Sequence, residues 1–255
     1  MTASERRVAL IAPAGSYVGP ALARLLAQRG YDLVLASPAP GLAEDLTEVG
    51  ASVVIVGAAA DGPPTMGAFP DDIGQQMVEA ALDRFGTYHS AFFSSGRIAL
   101  GKFARMGIDD LRGAFQGNVE LPFRFAQAVL PQLVKQSDGQ MLVATSATAL
   151  RPTTSASVYA ATRSAATILL QSAALEIAHT GVQLNVVGTN FMDFPEFLRG
   201  NRVETPEDRA RVENLVPMKR LGTMEEFASF CATFLDASSR FATGQFFPYA
   251  GGWAV

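Results

Sequence analysis

Three side chains in the second half of the chain, Ser146, Tyr159 and Arg163, have the types and spacing of a proton-handling group. A serine hydroxyl can hold a substrate oxygen, and a phenol can give or take that oxygen's proton. A nearby guanidinium favours a phenolate, and because Arg keeps its own proton it serves as a fixed charge and not as a relay. Tyr159 and Arg163 are four positions apart, so a helix would place them on one face. A Tyr-x-x-x-Arg pair alone describes many solvated helix faces. Its meaning here comes from the serine upstream and from the elements on either side.

Those elements are legible in the segment Gly139–Gly181. Met141–Ala144 is an apolar, partly β-branched run that predicts a buried strand, ending at Thr145-Ser146. A polar loop with Pro152 follows, and from about Ser155 the pattern turns helical until the stop signal Thr180-Gly181. Ser146 thus falls at the carboxyl end of a strand, where open α/β sheets place their ligand crevice.

The rest of the chain repeats this alternation. Strands are predicted at Arg7–Ala12, Tyr31–Ala36, Ser52–Val56, Ser90–Phe93, Val182–Val187 and Gly244–Tyr249. Helices are predicted at Gly19–Arg29, Leu42–Val49, from Asp71 or Asp72 to Arg84, Asp109–Lys135 with a bend at Pro122, and Met224–Leu235. A loop rich in Ala, Gly and Pro covers Gly57–Pro70, and a loop-and-helix excursion covers Gly188–Gly222. Strands alternating with helices imply an α/β fold, a doubly wound parallel sheet with right-handed crossovers. No shift in composition and no repeat divides the chain, so residues 1–255 are expected to form a single domain.

Composition narrows the function classes. Only 17% of the 255 residues are charged and 49% are hydrophobic, against about 25% charged in an average soluble domain. So apolar a chain is expected to bury surface against copies of itself. A net charge of −4 gives no basic footprint for nucleic acid, and no run approaches the length of a membrane span. One cysteine, Cys231, and two histidines offer neither an internal disulfide nor a metal-ligand cluster. The first residues lack a signal-peptide core, and a cytoplasmic location is expected.

Between the first strand and first helix, a dinucleotide-binding fold needs glycines for a tight turn and close phosphate approach. The sequence there is Ala12-Pro13-Ala14-Gly15-Ser16-Tyr17-Val18-Gly19. Only Gly19 stands where short-chain dehydrogenases, with their Thr-Gly-x-x-x-Gly-x-Gly loop, require one. Pro13 removes a backbone donor, and Tyr17 fills the place where bare backbone would meet phosphate. The second strand runs into Ser37-Pro38-Ala39-Pro40, with no acid for a ribose. The fourth ends in Phe93-Ser94-Ser95-Gly96.

Ser146…Tyr159-x-x-x-Arg163 resembles the Ser…Tyr-x-x-x-Lys site of short-chain dehydrogenases with Arg in place of Lys. With Tyr17-Val18-Gly19, Gly188-Thr189-Asn190-Phe191-Met192-Asp193-Phe194-Pro195, Arg220-Leu221-Gly222-Thr223-Met224 and Thr243-Gly244-Gln245-Phe246-Phe247, the chain resembles the G-type halohydrin dehalogenases, offshoots of that superfamily. Ala12 departs from the Thr of their loop motif. The resemblance implies a Rossmann-like, cofactor-independent lyase that converts vicinal haloalcohols to epoxides and opens epoxides with azide, cyanide or halide. Ser146 would hold the substrate oxygen, Tyr159 would move its proton and Arg163 would support the phenolate. A halide pocket would be formed by Tyr17, Thr189, Asn190, Phe191 and Met192, with the amides of Phe191 and Met192 as donors. No cofactor and no metal are expected, and a homotetramer is. The second reading is an NAD(P)-dependent short-chain dehydrogenase with a degenerate glycine loop, and the third a non-catalytic scaffold. Asn118 is read as satisfying helix backbone, and Trp253 as surface packing or a cover for a neighbour's site.

Overall fold

The computed structural model describes residues 6–57 and 69–254. The Ala/Gly/Pro-rich loop expected at Gly57–Pro70 lies almost wholly outside the described residues. Seven strands form one parallel sheet: β1 (Arg7–Ala12), β2 (Tyr31–Ala36), β3 (Val53–Val56), β4 (Ser90–Ser94), β5 (Gly139–Ser146), β6 (Val182–Thr189) and β7 (Phe246–Tyr249). Their spatial order is β3-β2-β1-β4-β5-β6-β7. The order reverses between β1 and β4, a switch point that opens a crevice beyond the carboxyl ends of the strands.

Helices cover both faces, so the central strands are buried on both sides and read as unbroken apolar runs. One core layer joins Leu10, Phe93, Val143 and Val186 to α3 (Ile73–Phe85), α5 (Leu121–Gln136) and α6 (Ser157–Ile177). The opposite layer joins Ile11, Leu35, Phe92 and Leu142 to α1 (Gly19–Gln28), α2 (Leu42–Glu48) and α9 (Met224–Ala232). Fully burying a side chain of this size contributes about 1.5–3 kcal/mol, so both layers fix the sheet firmly.

Two departures from expectation bear on the site, while the loop-and-helix excursion takes the form expected of it. The single helix expected at Asp109–Lys135 is α4 (Ile108–Phe115), a π turn at Gln116–Glu120 and α5. Its interruption precedes Pro122, because the wide turn accommodates the proline's missing donor. β5 and β6 extend further than the apolar runs, to Ser146 and Thr189, whose backbones are paired. The excursion after β6 folds into α7 (Pro195–Gly200) and α8 (Pro206–Glu213). Among the described residues no helix is long and apolar enough to cross a membrane.

Candidate active site

Ser146 closes β5 with 3% of its surface exposed. Its Oγ accepts hydrogen bonds from the Thr148 backbone N–H (3.2 Å) and from the Thr148 hydroxyl (2.9 Å). Its own proton goes to the Thr189 carbonyl in a long bond of 3.5 Å, weak enough for an oxygen in the crevice to replace it. Tyr159 and Arg163 lie one turn apart in the first half of α6, and the Arg163 Cζ stands 5.2 Å from the Tyr159 ring centroid. The Tyr159 hydroxyl makes no hydrogen bond to another described residue. All three side chains line one cavity of about 620 Å³.

Arg163 is 2% exposed, and neither its Nε nor its Nη1 has a hydrogen-bond partner among the described residues. No carboxylate of the described residues pairs with it, so the inner end of the cavity carries an uncompensated positive charge beside a phenol. A charge placed there stabilises an oxygen that becomes negative during a reaction.

The same cavity is lined by the five residues read above as a halide pocket, with Thr189 paired beside Ser146. The Tyr17 hydroxyl bonds to the Thr189 hydroxyl. Its ring packs on Phe194 (centroids 5.0 Å apart) and Phe227 (5.5 Å). Burial pushes the Tyr17 phenol well above the usual tyrosine range, against the bond to Thr189, so Tyr17 stays neutral and does not compete as a base. One of the two donors read from sequence needs correcting, however. The Phe191 N–H is taken by the Asn190 side-chain oxygen at 2.9 Å, because Phe191 turns at φ 56° and folds its amide back onto the preceding residue. Met192 stands in a backbone bridge with Gly222, but its bonds run from the Gly222 N–H to the Phe191 carbonyl and from the Asp193 N–H to the Gly222 carbonyl, so the Met192 N–H is not used there.

Other residues were misread or missed. Trp253 covers its own chain's cavity, packed on Phe191 with centroids 5.5 Å apart. Arg151 stacks on its indole at 4.9 Å and donates to its backbone oxygen. A lone Trp near a terminus gives no sign in sequence of which surface it will meet. Asn118 is wholly buried and does not serve its own helix: it accepts from the Arg97 N–H (2.7 Å) and donates to the Arg97 carbonyl and the Thr162 hydroxyl. A buried amide at the π turn ties the loop after β4 to α6. The outer walls of the cavity are largely apolar, with Ile98, Leu100, Phe197 and Leu215 among them.

A fold of this kind implies a nicotinamide dinucleotide laid across the β1–α1 loop. The residues present do not fit it in the usual way. Gly15 is pressed against the β2–α2 loop, so that a Cβ there would stand 2.5 Å from the Ser37 oxygen and 2.9 Å from the Ala39 nitrogen. That contact closes the gap where an adenosine would lie. The Ala14 N–H donates to Ala36 and the Gly19 N–H to Ser16, Pro13 has none, and the Tyr17 ring occupies the path inward. The buried Ser16 hydroxyl has no partner among the described residues, and the N–H groups of Gly15, Ser16, Tyr17 and Val18 donate to none of them.

Comparison with known proteins extends beyond the fold. Residues 14–254 match the family described as enoyl-(acyl carrier protein) reductase, a branch of the short-chain dehydrogenases. Cyclohexanol dehydrogenase of Acinetobacter sp. strain SE19 is 28% identical, covering 94% of this chain and 92% of that protein. The 2,5-dichloro-2,5-cyclohexadiene-1,4-diol dehydrogenase of Sphingobium indicum is 26% identical over 98% of this chain and 96% of that protein. Among solved structures, one titled "Dehalogenation enzyme" is 26% identical, with a TM-score of 0.81 over 98% of this chain and 99% of that one. Reductases of lower identity superpose at least as well, so the fold does not separate the activities. These curated relatives carry dehydrogenase names, which overturns the expectation of a cofactor-independent lyase acting on haloalcohols and epoxides. A sheet with this strand order, a Ser–Tyr pair beyond the carboxyl end of β5 and a family match across nearly its whole length make the chain a member of the short-chain dehydrogenase/reductase superfamily.

Proposed function

We propose that the chain is an oxidoreductase of this superfamily that works on the alcohol or carbonyl group of a small, largely apolar, ring-sized molecule. The observation that carries this is the cavity itself: Ser146 and Tyr159 at its inner end, apolar side chains toward its mouth, in a chain whose relatives are named for ring alcohols. Ser146 turns its hydroxyl proton from the Thr189 carbonyl to the substrate oxygen. Tyr159 takes the proton from an alcohol, or returns it to a carbonyl oxygen, and Arg163 stabilises the phenolate left between the two events. Trp253, Phe197 and Leu215 exclude water from the ring and orient it.

The hydride in reactions of this class passes to or from a nicotinamide nucleotide, for which the β1–α1 loop has no ready seat. We infer that binding requires this loop to part from residues 37–39, so that the competent form is a minor one and apparent affinity is reduced by its fraction. We also propose that the chain works as a homotetramer. The test of function is oxidation of cyclic secondary alcohols and reduction of the matching ketones with each of NAD(H) and NADP(H). Turnover with at least one pair is expected. No turnover, together with no nucleotide binding at millimolar concentration, would contradict the proposal.

A further inference from the structure

Arg163 poses a problem of position. A guanidinium is normally located by the carboxylates or carbonyls it bonds, yet two of the three nitrogens of Arg163 are buried without partners among the described residues. Electrostatic pairing therefore does not hold it 5.2 Å from the Tyr159 ring. Shape does. Gly96, two residues beyond the end of β4, is buried at φ +149°, a backbone conformation that favours glycine. A Cβ on Gly96 would overlap the Arg163 Nη2 and stand 2.5 Å from its Cζ and 2.5 Å from the Asn118 Oδ1. The guanidinium thus occupies the space that a side chain at 96 would need. The floor under it is rigid: Asn118 grips Arg97 on one side, and the Ser95 hydroxyl donates to the Gly117 carbonyl at 2.9 Å on the other.

We propose that Gly96 is a positioning residue: its missing side chain is the seat that holds the Arg163 guanidinium against Tyr159. The proposal rests on the reading of Tyr159 and Arg163 as the proton-handling pair. It also makes the fork of Arg, and not its charge alone, the group that Gly96 accommodates. Arg163→Lys keeps the charge but lacks the fork, and would leave the space beside Gly96 vacant.

The test is a double-mutant cycle of Gly96→Ala and Arg163→Lys, read in kcat, KM and melting temperature, with a crystal structure of Gly96→Ala. Backbone strain at 96 and the contact with Asn118 are common to both backgrounds, so only the coupling reports on the guanidinium. With Arg163 present, Gly96→Ala is expected to lower kcat about a hundredfold with KM little changed, as for a catalytic group displaced by about 1 Å. In the Arg163→Lys background, the same substitution is expected to cost less than about threefold. The crystal structure is expected to show the guanidinium displaced from the ring. Equal losses in both backgrounds, or an unmoved guanidinium, would overturn the proposal. Should Gly96→Ala fail to fold, the double variant is expected to recover folding, and its failure to do so would equally overturn it. If the wild type turns over none of the alcohols, the functional reading fails, while coupling in melting temperature still decides the seat.

Discussion

At the scale of single residues, the proposed function divides the site into groups that would move protons and groups that would hold them still. Tyr159 is of the first kind. Its hydroxyl bonds no other described residue, so Tyr159→Phe should cost little stability, within about 0.5 kcal/mol. The same change should lower turnover by on the order of a hundred- to ten-thousandfold, as steady-state rates and thermal melts on one preparation would reveal. Ser146 is of both kinds. Ser146→Ala removes the substrate's anchor and also the acceptor of the Thr148 N–H, so a comparable loss of rate should come with about 1 kcal/mol of destabilisation. That Ser146, Tyr159 and Arg163 meet in one cavity was legible in sequence because they sit on one strand end and one helix, where spacing fixes direction. Phe191 was not, because the fate of its amide depends on a positive φ in an irregular loop. Trp253 and Asn118 were not, because both act across distances of many residues.

At the scale of elements, the proposed function turns on the β1–α1 loop, past which a nucleotide would have to bind. Tyr17 ties that loop to Thr189 and wedges its ring against Phe194 and Phe227. Tyr17→Ala removes the wedge and should tighten dinucleotide binding about tenfold or more by populating the open loop; calorimetric titration of both proteins gives the comparison. Unchanged or weaker binding would leave the closed loop as no barrier. The sequence pointed to an altered loop through Pro13 and Tyr17, while its packing onto residues 37–39 is a tertiary contact that no local pattern encodes. α9 offers a prediction of a different sort. The Arg220 fork and the Thr223 N–H hold the Glu226 carboxyl down at about 2, from an ordinary 4.5. A depressed carboxyl stabilises above its unfolded value and loses that contribution as pH falls toward the folded one, here between 4.5 and about 2. For an exposed pair the effect is about 0.5–1 kcal/mol. The acid limb of a melting curve should therefore be shallower in Glu226→Gln than in the wild type, provided that the Thr223 cap keeps the helix start intact.

At the scale of the whole molecule, the alternation of strands and helices was enough to give the sheet, because each strand's length and burial are set locally. What lies beyond one chain is written in its surface. Ile168 and Leu175 stand exposed on α6, and Phe115 and Phe123 on α4 and α5. A groove between α5 and α6 is lined by Leu130, Leu169 and Ile177. Patches of this kind call for a partner, and light scattering should give four times the 27.0 kDa of one chain. Leu175→Glu should lower that mass. The central claim, an oxidoreductase whose proton passes through Tyr159, is tested most directly by following nicotinamide reduction with cyclohexanol-type alcohols in wild-type protein and in Tyr159→Phe. The account predicts reduction by the wild type and its near-complete loss in the variant. Equal rates in the two proteins, or no reduction by the wild type with either dinucleotide, would contradict it.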